Sequence, residues 1–182
     1  MFKKIINRLY YYFATPEKYA RFIGVKVGKG CYISTKHFAT EPYLITIGNN
    51  VRIAPGTSFY THGGTWCIRK KYNDPTLDTF GKICIGDNCY IGENCMIMPG
   101  VTIGENCLIG GGSVVSRSVP DGVMVAGNPA KFIGYTEQFY QKVKSNKALC
   151  CKGIKGSKKA YLLSLDDSDF VMKPNIKVPE KV

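Results

Sequence analysis

The chain contains two histidines, His37 and His62, and imidazole is the side chain that most readily exchanges a proton near neutral pH. His62 lies in the segment Tyr60-Thr-His-Gly-Gly. A base of this kind activates a hydroxyl nucleophile when neighbouring elements hold it in place. A histidine considered in isolation is an ordinary surface residue, so the elements that position His62 decide its role.

Eight cysteines are the second chemically distinctive set. None of them forms a Cys-x-x-Cys pair of the zinc-binding kind, so we expect no metal site. The first residues, Met1-Phe-Lys-Lys-Ile-Ile-Asn-Arg, lack the apolar stretch and small-residue cleavage site of a signal peptide. We therefore expect reduced thiols in a cytoplasmic protein rather than a secreted disulfide scaffold.

The net charge of +12 is concentrated at the two ends of the chain. Residues 1–30 carry seven basic side chains and one acidic one, residues 31–130 carry seven of each, and residues 131–182 carry eleven and five. A protein that binds nucleic acid through a basic surface would not have a neutral middle, so we expect no nucleic-acid partner. The basic ends instead suit a phosphorylated ligand or peripheral contact with an anionic membrane.

A six-residue repeat organises the middle of the chain. From Ile85 onwards its first position is aliphatic and its fifth position is small. The first positions are Ile85, Ile91, Ile97, Ile103, Ile109 and Val115, and the fifth positions are Cys89, Cys95, Val101, Cys107, Ser113 and Val119. The same pattern fits Ile47, Ile53 and Phe59, and a weaker pair begins at Val27 and Ile33 with Cys31 in the small position.

This period predicts a coil with three flat faces. Each hexad supplies a short strand and a tight corner, where glycine or asparagine tolerates dihedral angles that branched residues resist. Three hexads complete one turn, and successive turns pair as parallel strands around a column of aliphatic side chains. An α-helix is excluded because its period is 3.6 residues and because glycine and asparagine at every corner would break it.

The repeat is interrupted twice. Ile33 and Ile47 are 14 residues apart, and residues 65–84 form a longer excursion that contains the only tryptophan and three consecutive basic residues. A loop that leaves a regular coil commonly forms part of a binding surface. A plain surface loop or a subunit contact is an equal alternative.

Other structure is predicted at both ends of the coil. Residues 1–24 predict one or two helices, the second starting at Thr15-Pro-Glu, and we expect them to cap the coil, with contact to a membrane surface as the alternative. Residues 25–134 form the coil domain. Residues 135–182 predict a helix from Thr136 to about Ala148 and then a basic tail.

The repeat, the Thr-His context of His62 and the run from Gly110 to Pro120 resemble the hexapeptide-repeat acyltransferases. The resemblance implies an all-β fold, a left-handed parallel β-helix, over about residues 15–135. It implies acetyl transfer from acetyl-CoA to a hydroxyl, with His62 as the general base. It also implies a homotrimer with its active sites between subunits. The candidate partners for the imidazole are Glu41, Asp74 and Asp78, and His37 is expected to be incidental.

The same resemblance implies a donor site near the end of the coil. The pantetheine arm of acetyl-CoA would lie against backbone at a small residue, and basic side chains would meet the phosphates. The matching residues are Gly111, Ser116, Arg117, Pro129 and Lys131. A plain structural explanation exists for two of these positions, since Gly111 suits a tight corner and Gly127-Asn-Pro-Ala suits the turn that ends the coil.

Several functions remain open on this fold. A sugar or surface-polysaccharide precursor is favoured as acceptor over an antibiotic, because the tryptophan of antibiotic-modifying relatives is matched here by Tyr90. A γ-type carbonic anhydrase needs three histidines around zinc, and the chain has two. A non-catalytic β-helix scaffold is the remaining alternative. We expect a cytoplasmic enzyme, with contact to the inner face of the membrane as a further possibility.

Overall fold

The computed structural model describes residues 2–145 and 156–175. The chain divides into two compact units, Met1–Glu137 and Gln138–Val182. None of the described helices is long and apolar enough to cross a membrane. The first unit contains the coil and carries all of the candidate site residues.

The first unit begins with two helices, α1 (Phe2–Phe13) and α2 (Pro16–Ile23), and continues with short strands. In chain order the strands are β1 (Lys26–Val27), β2 (Tyr32–Ile33), β3 (Ile45–Ile47), β4 (Arg52–Ile53), β5 (Ser58–Phe59), β6 (Ile83–Ile85), β7 (Tyr90–Ile91), β8 (Met96–Ile97), β9 (Thr102–Ile103), β10 (Leu108–Ile109), β11 (Val114–Val115), β12 (Val123–Ala126) and β13 (Lys131–Tyr135). Helix α3 (Trp66–Tyr72) lies between β5 and β6, and a 3₁₀ helix (Pro42–Leu44) precedes β3.

These strands form three sheets that the chain visits in cyclic order. Face A consists of β1, β3, β6 and β9, face B of β2, β4, β7, β10, β12 and β13, and face C of β5, β8 and β11. All pairings are parallel except the last one, where β13 turns back antiparallel to β12. The register joins equivalent hexads, as in Ile47 with Ile85 and Ile85 with Ile103. The predicted three-faced parallel arrangement is therefore confirmed.

The interior is the column that the repeat predicts. The first-position isoleucines from Ile85 to Ile109 and the fifth-position cysteines from Cys89 to Cys107 are buried. Phe38, which does not fit the six-residue spacing, also packs against the interior column. Phe38 stacks on Phe59 with ring centroids 5.3 Å apart, and the neighbouring His37 pairs with Ser58 of face C. The first turn therefore has all three faces, and the extra residues of this interruption come after Phe38.

The corners are held by side chains that bond to backbone or to one another. The thiol of Cys89 donates to the carbonyl oxygen of Gly104 at 3.0 Å, one turn further along the coil. At the same corner Asn50, Asn88 and Asn106 all adopt φ of about +55° and link their amides in a ladder with spacings of 3.3 and 3.2 Å. Asparagine reaches this left-handed region more easily than other non-glycine residues, which explains its recurrence at the corner.

The predicted N-terminal helices are present, and α2 caps the coil. Thr15 accepts a hydrogen bond from the backbone of Lys18 at 3.4 Å, and Pro16 occupies the first turn, as the sequence predicts. Ala20 of α2 is fully buried and belongs to the same apolar core as Ile33 and Ile45. The open end of the aliphatic column is therefore covered by α2.

The excursion spans residues 61–82 rather than the predicted 65–84, so it both begins and ends earlier than expected. It leaves the coil after Tyr60, contains α3, and ends where Ile83 and Ile85 enter face A as buried residues. Cys84 is paired with Thr46 and Thr102 on that face, so residues 83 and 84 belong to the coil rather than to the loop.

The C-terminal helix α4 spans Thr136–Ser145, and residues 146–148 of the predicted helix lie outside the described residues. In the second unit the tail contains a short helix, α5 (Lys158–Leu163), and a 3₁₀ helix (Asp167–Asp169). The three-part division at residues 24 and 134 stays a prediction.

Candidate active site

Both interruptions leave the coil at the same corner. We call this the CA corner, where the chain passes from face C back to face A. The first interruption follows Phe38 and the second follows Phe59, and these two residues are stacked in successive turns. Side chains of the two interruptions therefore lie side by side, although the chain separates them by about one turn of coil.

Glu41 of the first interruption contacts His62 of the second. The Oε2 atom of Glu41 lies 3.0 Å from Nδ1 of His62. Two hydroxyls complete the carboxylate's surroundings, since Thr61 Oγ1 donates to Oε2 at 2.6 Å and Thr40 Oγ1 donates to Oε1 at 2.7 Å. The side chain of Glu41 is 18% exposed and that of His62 is 45% exposed. The carboxylate is thus enclosed while the imidazole still faces solvent.

These contacts settle the charge of Glu41 and the proton position on the ring. The hydrogen bond from Thr61, followed by those from Thr40 and His62, lowers the pKa of Glu41 from 4.5 to about 2. Glu41 is therefore ionised at neutral pH and can only accept hydrogen bonds. It follows that Nδ1 of His62 is the donor in this contact, so Nε2 is the ring nitrogen that Glu41 does not engage.

The backbone around His62 is fixed by the end of the excursion. His62 pairs antiparallel with Phe80, and flanking hydrogen bonds join Gly63 N to Thr79 O at 3.0 Å and Gly81 N to Thr61 O at 2.8 Å. The Phe80 ring meets the imidazole edge-on, with centroids 6.3 Å apart. The backbone on both sides of His62 is therefore fixed by a short antiparallel pairing with the end of the excursion.

The other two candidate partners are engaged elsewhere. Asp78 forms an ion pair with Arg69 and accepts a hydrogen bond from Thr65 at 3.2 Å. Asp74 accepts bonds from the hydroxyl and the backbone of Thr76, at 2.7 and 3.0 Å. Both carboxylates thus order the excursion, and of the three candidates Glu41 is the partner of His62.

A cavity of about 580 Å³ lies against Thr40 and Pro42, the residues on either side of Glu41. Its lining includes four aromatic residues, Tyr19 and Phe22 from α2, Phe38 at the end of face C and Tyr43 from the first interruption. Thr40 also lines it, and the same Thr40 hydroxyl bonds to Glu41. The segment that holds the carboxylate is therefore one wall of the cavity.

His37 has a different role. Its side chain is exposed, and its backbone accepts a hydrogen bond from Phe59 N at 3.0 Å as part of face C. The described residues contain no group of three or more His, Cys, Asp or Glu side chains arranged to hold a metal ion.

The structure divides the predicted donor residues between two corners. Ser116 and Arg117 follow β11 and lie at the CA corner, two turns beyond His62. Gly111 lies at the other end of face C, which we call the BC corner. Lys131 belongs there too, because it pairs with Ala126, which lies beside Gly110.

Pro129 joins the BC group. Its turn packs along the start of β11, with Val114 N bonded to Gly127 O at 3.0 Å and Ala130 N bonded to Val114 O at 2.9 Å. Strands rise about 3.3 Å per residue, so the BC and CA corners of one chain are about 15–20 Å apart. Within one chain Gly111, Pro129 and Lys131 therefore do not share a pocket with His62.

The two corners have the chemistry that a long phosphorylated thioester requires. At Gly111 an added Cβ atom would lie 3.3 Å from the carbonyl oxygen of Glu93, so glycine suits the close approach of the neighbouring turn, and the residue itself is exposed. Arg117 and Lys131 are both exposed cations, which suit phosphate groups. The residues present are compatible with coenzyme A.

Comparison with known proteins identifies the family. The model of the bacterial transferase hexapeptide (six repeats) matches residues 85–117. Protein CapG of Staphylococcus aureus is 47% identical over 152 residues, which are 81% of this chain and 87% of CapG. The chain therefore belongs to the hexapeptide-repeat acyltransferases. Its enzyme class is that of acetyltransferases that use an acyl-CoA donor.

Two further relatives bear on the reaction. Galactoside O-acetyltransferase of Escherichia coli is 35% identical over 118 residues, 65% of this chain and 57% of that enzyme. A hexapeptide-repeat acetyltransferase of Vibrio cholerae, solved in complex with acetyl coenzyme A, superposes with a TM-score of 0.55 at 31% identity. That match covers 62% of this chain and 60% of the Vibrio protein. The chain thus spans somewhat more than half the length of these two relatives.

Sequence reasoning left the partner of His62 open among three carboxylates. A usable signal was present in the hexad count, because both interruptions fall after the third hexad of a turn. Interruptions at the same place in successive turns emerge at the same corner, which favours Glu41 over the two aspartates. Phe38 is the interior residue of the third hexad in the first turn, as its stacking on Phe59 shows. This hexad matches the repeat only weakly, so the sequence did not reveal it.

Proposed function

We propose that this protein is an O-acetyltransferase that moves an acetyl group from acetyl-CoA to a hydroxyl of a sugar or surface-polysaccharide precursor. The observation that carries the proposal is the hydrogen bond of 3.0 Å between Glu41 and Nδ1 of His62, which holds an imidazole that remains exposed to solvent. We further propose that the parallel coil is left-handed, as in the family, and that the enzyme works in the cytoplasm.

In the proposed reaction His62 acts as a general base. Its Nε2 takes the proton of the acceptor hydroxyl as that oxygen attacks the thioester carbonyl carbon. The new C–O ester bond forms, the C–S bond breaks, and the proton passes from the imidazolium to the departing sulfur. Glu41 keeps the ring oriented and stabilises the positive charge that develops on it, since its carboxylate remains ionised.

A carbohydrate acceptor is supported by the surroundings of the base. The excursion presents the exposed aromatic side chains Trp66, Tyr72 and Phe80, and Phe80 touches the imidazole. Aromatic rings pack against the apolar faces of sugar rings. The galactoside specificity named for the Escherichia coli relative supports the same acceptor class. Tyr90, which bears on the antibiotic alternative, lies on face B beside Arg52 and Leu108 rather than at the CA corner.

The donor is proposed to bind between two copies of the chain. One copy would supply Gly111, Pro129 and Lys131 from its BC corner, and its neighbour would supply His62, Ser116 and Arg117 from its CA corner. The width of face C keeps these groups apart within one chain, whereas a neighbouring copy can bring them together. A closed trimer would contain three such sites.

Acetyl transfer is tested by a panel of acceptors. Purified protein is incubated with acetyl-CoA and galactosides, maltose, other sugars or antibiotics; free thiol is measured and products are identified by mass spectrometry. We expect transfer to a sugar by the wild type, loss of transfer in His62→Ala, and retained coenzyme A binding in that variant. His37→Ala is the matched control, because it removes the other exposed imidazole and should leave the rate unchanged. Full activity of His62→Ala, or no transfer to any acceptor by the wild type, would overturn the proposal.

The shared site is tested by complementation. His62→Ala and Lys131→Ala chains are co-expressed with different tags and the mixed assembly is purified. Activity is measured at acetyl-CoA concentrations well below the Kd of Lys131→Ala, where that variant is slow. If His62 and Lys131 of one site come from different chains, mixed assemblies contain some intact sites and are more active than either variant alone. Activity no higher than that of the separate variants would show that both residues act within one chain.

A further inference from the structure

Helix α1 presents an apolar surface that the rest of the described chain does not cover. Leu9 is 51% exposed, Tyr12 is 64% exposed and Phe13 is 84% exposed. These residues recur at three- and four-residue spacing and so lie on one side of the helix. We call Leu9, Tyr12 and Phe13 the α1 patch.

The contacts of α1 explain why the patch is free. Tyr10 stacks on Phe22 of α2 with ring centroids 3.9 Å apart, and Tyr11 meets Tyr19 edge-on at 5.4 Å. Lys36 also donates to the carbonyl oxygen of Tyr11 and lies over its ring, so α1 is held through Tyr10 and Tyr11 and not through Leu9 or Phe13. The coil end itself is already closed by α2 and its buried Ala20, so capping requires nothing of the α1 patch.

The N-terminal segment that contains the α1 patch is strongly basic. Residues 1–30 carry a net charge of +6, while residues 31–130 are neutral. Arg8, Lys18, Lys26 and Lys29 are exposed in this region. An apolar helix side on a segment with this excess of exposed cations has the two features that bind a helix into the interface of an anionic bilayer.

We propose that α1 docks on an anionic lipid surface, with the α1 patch at the boundary between headgroups and acyl chains. Tyr and Phe suit this position because their rings partition into the interface while cations nearby meet anionic headgroups. A second copy of the chain fits the patch less well, since two such ends would bring charges of +6 against each other. The helix of 12 residues lies on the surface and does not span it. The proposal does not depend on the acetyl-transfer chemistry.

The test is co-sedimentation of the full-length protein with vesicles. Vesicles of phosphatidylcholine alone are compared with vesicles that contain one quarter phosphatidylglycerol, at low and high salt. We expect binding only to the anionic vesicles, and weaker binding at high salt because the lysines and arginines are screened. Equal binding to both vesicle types, or no binding to either, would overturn the proposal.

Two variants test whether vesicle binding requires the α1 patch or any exposed apolar residue. Tyr12→Ser with Phe13→Ser should weaken binding to anionic vesicles by about tenfold or more, because the variant loses two aromatic rings that the bilayer would bury. Met172→Ser removes an exposed apolar residue from the C-terminal unit and should leave binding unchanged. Transfer to a small soluble sugar should be the same in all three proteins. Wild-type binding by the double variant, or a change in its oligomeric state, would show that the α1 patch is not a lipid-binding surface.

Discussion

The carboxylate of Glu41 lies 3.0 Å from the imidazole of His62 because two interruptions leave the coil at the same corner in successive turns. The residues are 21 positions apart in the chain. Neither belongs to the repeating strands, yet the repeat sets the distance between them. The regular spacing of the turns therefore brings the two irregular segments together, and these segments contain the candidate catalytic side chains.

Replacing the partner of the base should slow the reaction without removing substrate binding. In Glu41→Gln the ring loses the anion that orients it and balances its charge, so we expect kcat to fall by about 100-fold with little change in KM. Steady-state kinetics with a sugar acceptor check this. Asp74→Asn is the matched control, because that carboxylate bonds to Thr76 and should leave kcat near the wild-type value. A larger rise in KM than fall in kcat would instead place Glu41 in acceptor binding.

The ionisation of Glu41 should make stability depend on pH. Its pKa is about 2 in the folded protein and 4.5 ordinarily, so its carboxylate stabilises the fold fully above pH 4.5. That contribution is lost as the pH falls from 4.5 towards 2. Wild type should therefore have a higher Tm than Glu41→Gln at pH 7, and the difference should shrink on acidification. A Tm difference that stays constant from pH 7 to pH 3 would contradict this assignment.

Binding of coenzyme A should depend on cations from both corners. We expect Arg117→Ala and Lys131→Ala each to raise the Kd for coenzyme A by about tenfold, because each loses a charge-assisted contact with a phosphate group. Titration calorimetry measures the effect, and Arg52→Ala, which removes an exposed cation of face B away from both corners, is the control. Pantetheine has no nucleotide phosphates, so its weaker binding should be insensitive to both substitutions. Unchanged Kd values for coenzyme A would remove Arg117 and Lys131 from the donor site.

The thiols should differ sharply in reactivity. Cys67 on α3 is exposed, whereas Cys89 is buried, and burial raises the pKa of Cys89 to about 11. Since the thiolate is the reactive form, iodoacetamide at pH 7.5 should modify Cys67 in the native protein and Cys89 only after unfolding. Peptide mapping by mass spectrometry distinguishes the sites. Rapid labelling of Cys89 in the folded protein would mean that the corner opens readily.

The aliphatic column should carry much of the stability. Ile103 is fully buried and paired with Ile85, so Ile103→Ala should lower the free energy of unfolding by about 2–5 kcal/mol. Thr102→Ala changes the outward residue of the same strand. It should lower the free energy of unfolding by no more than about 0.5 kcal/mol, the usual range for surface sites. Urea unfolding of the two variants gives the comparison. Similar losses for both would argue against a column packed by its first positions.

The sequence alone determined the periodic part of the protein. A six-residue alternation of aliphatic, polar and small residues can bury its apolar side chains in only one way, so faces, register and interior follow from local pattern. It also singled out His62, because the Thr-His context of this residue resembles that of the acyltransferase family. The cap at Thr15 and the helix after it were readable for the same local reason.

The tertiary structure decided what no local pattern contains. Glu41 rather than Asp74 or Asp78 faces His62 because a partner is chosen by distance in space, and the interruptions have no period from which that distance follows. The separation of Gly111 and Lys131 from His62 is likewise a property of the width of face C. The sequence of α1 does not say which of its apolar residues are used in packing. The structure does, because Tyr10 and Tyr11 make the contacts of α1 while Leu9 and Phe13 stay exposed.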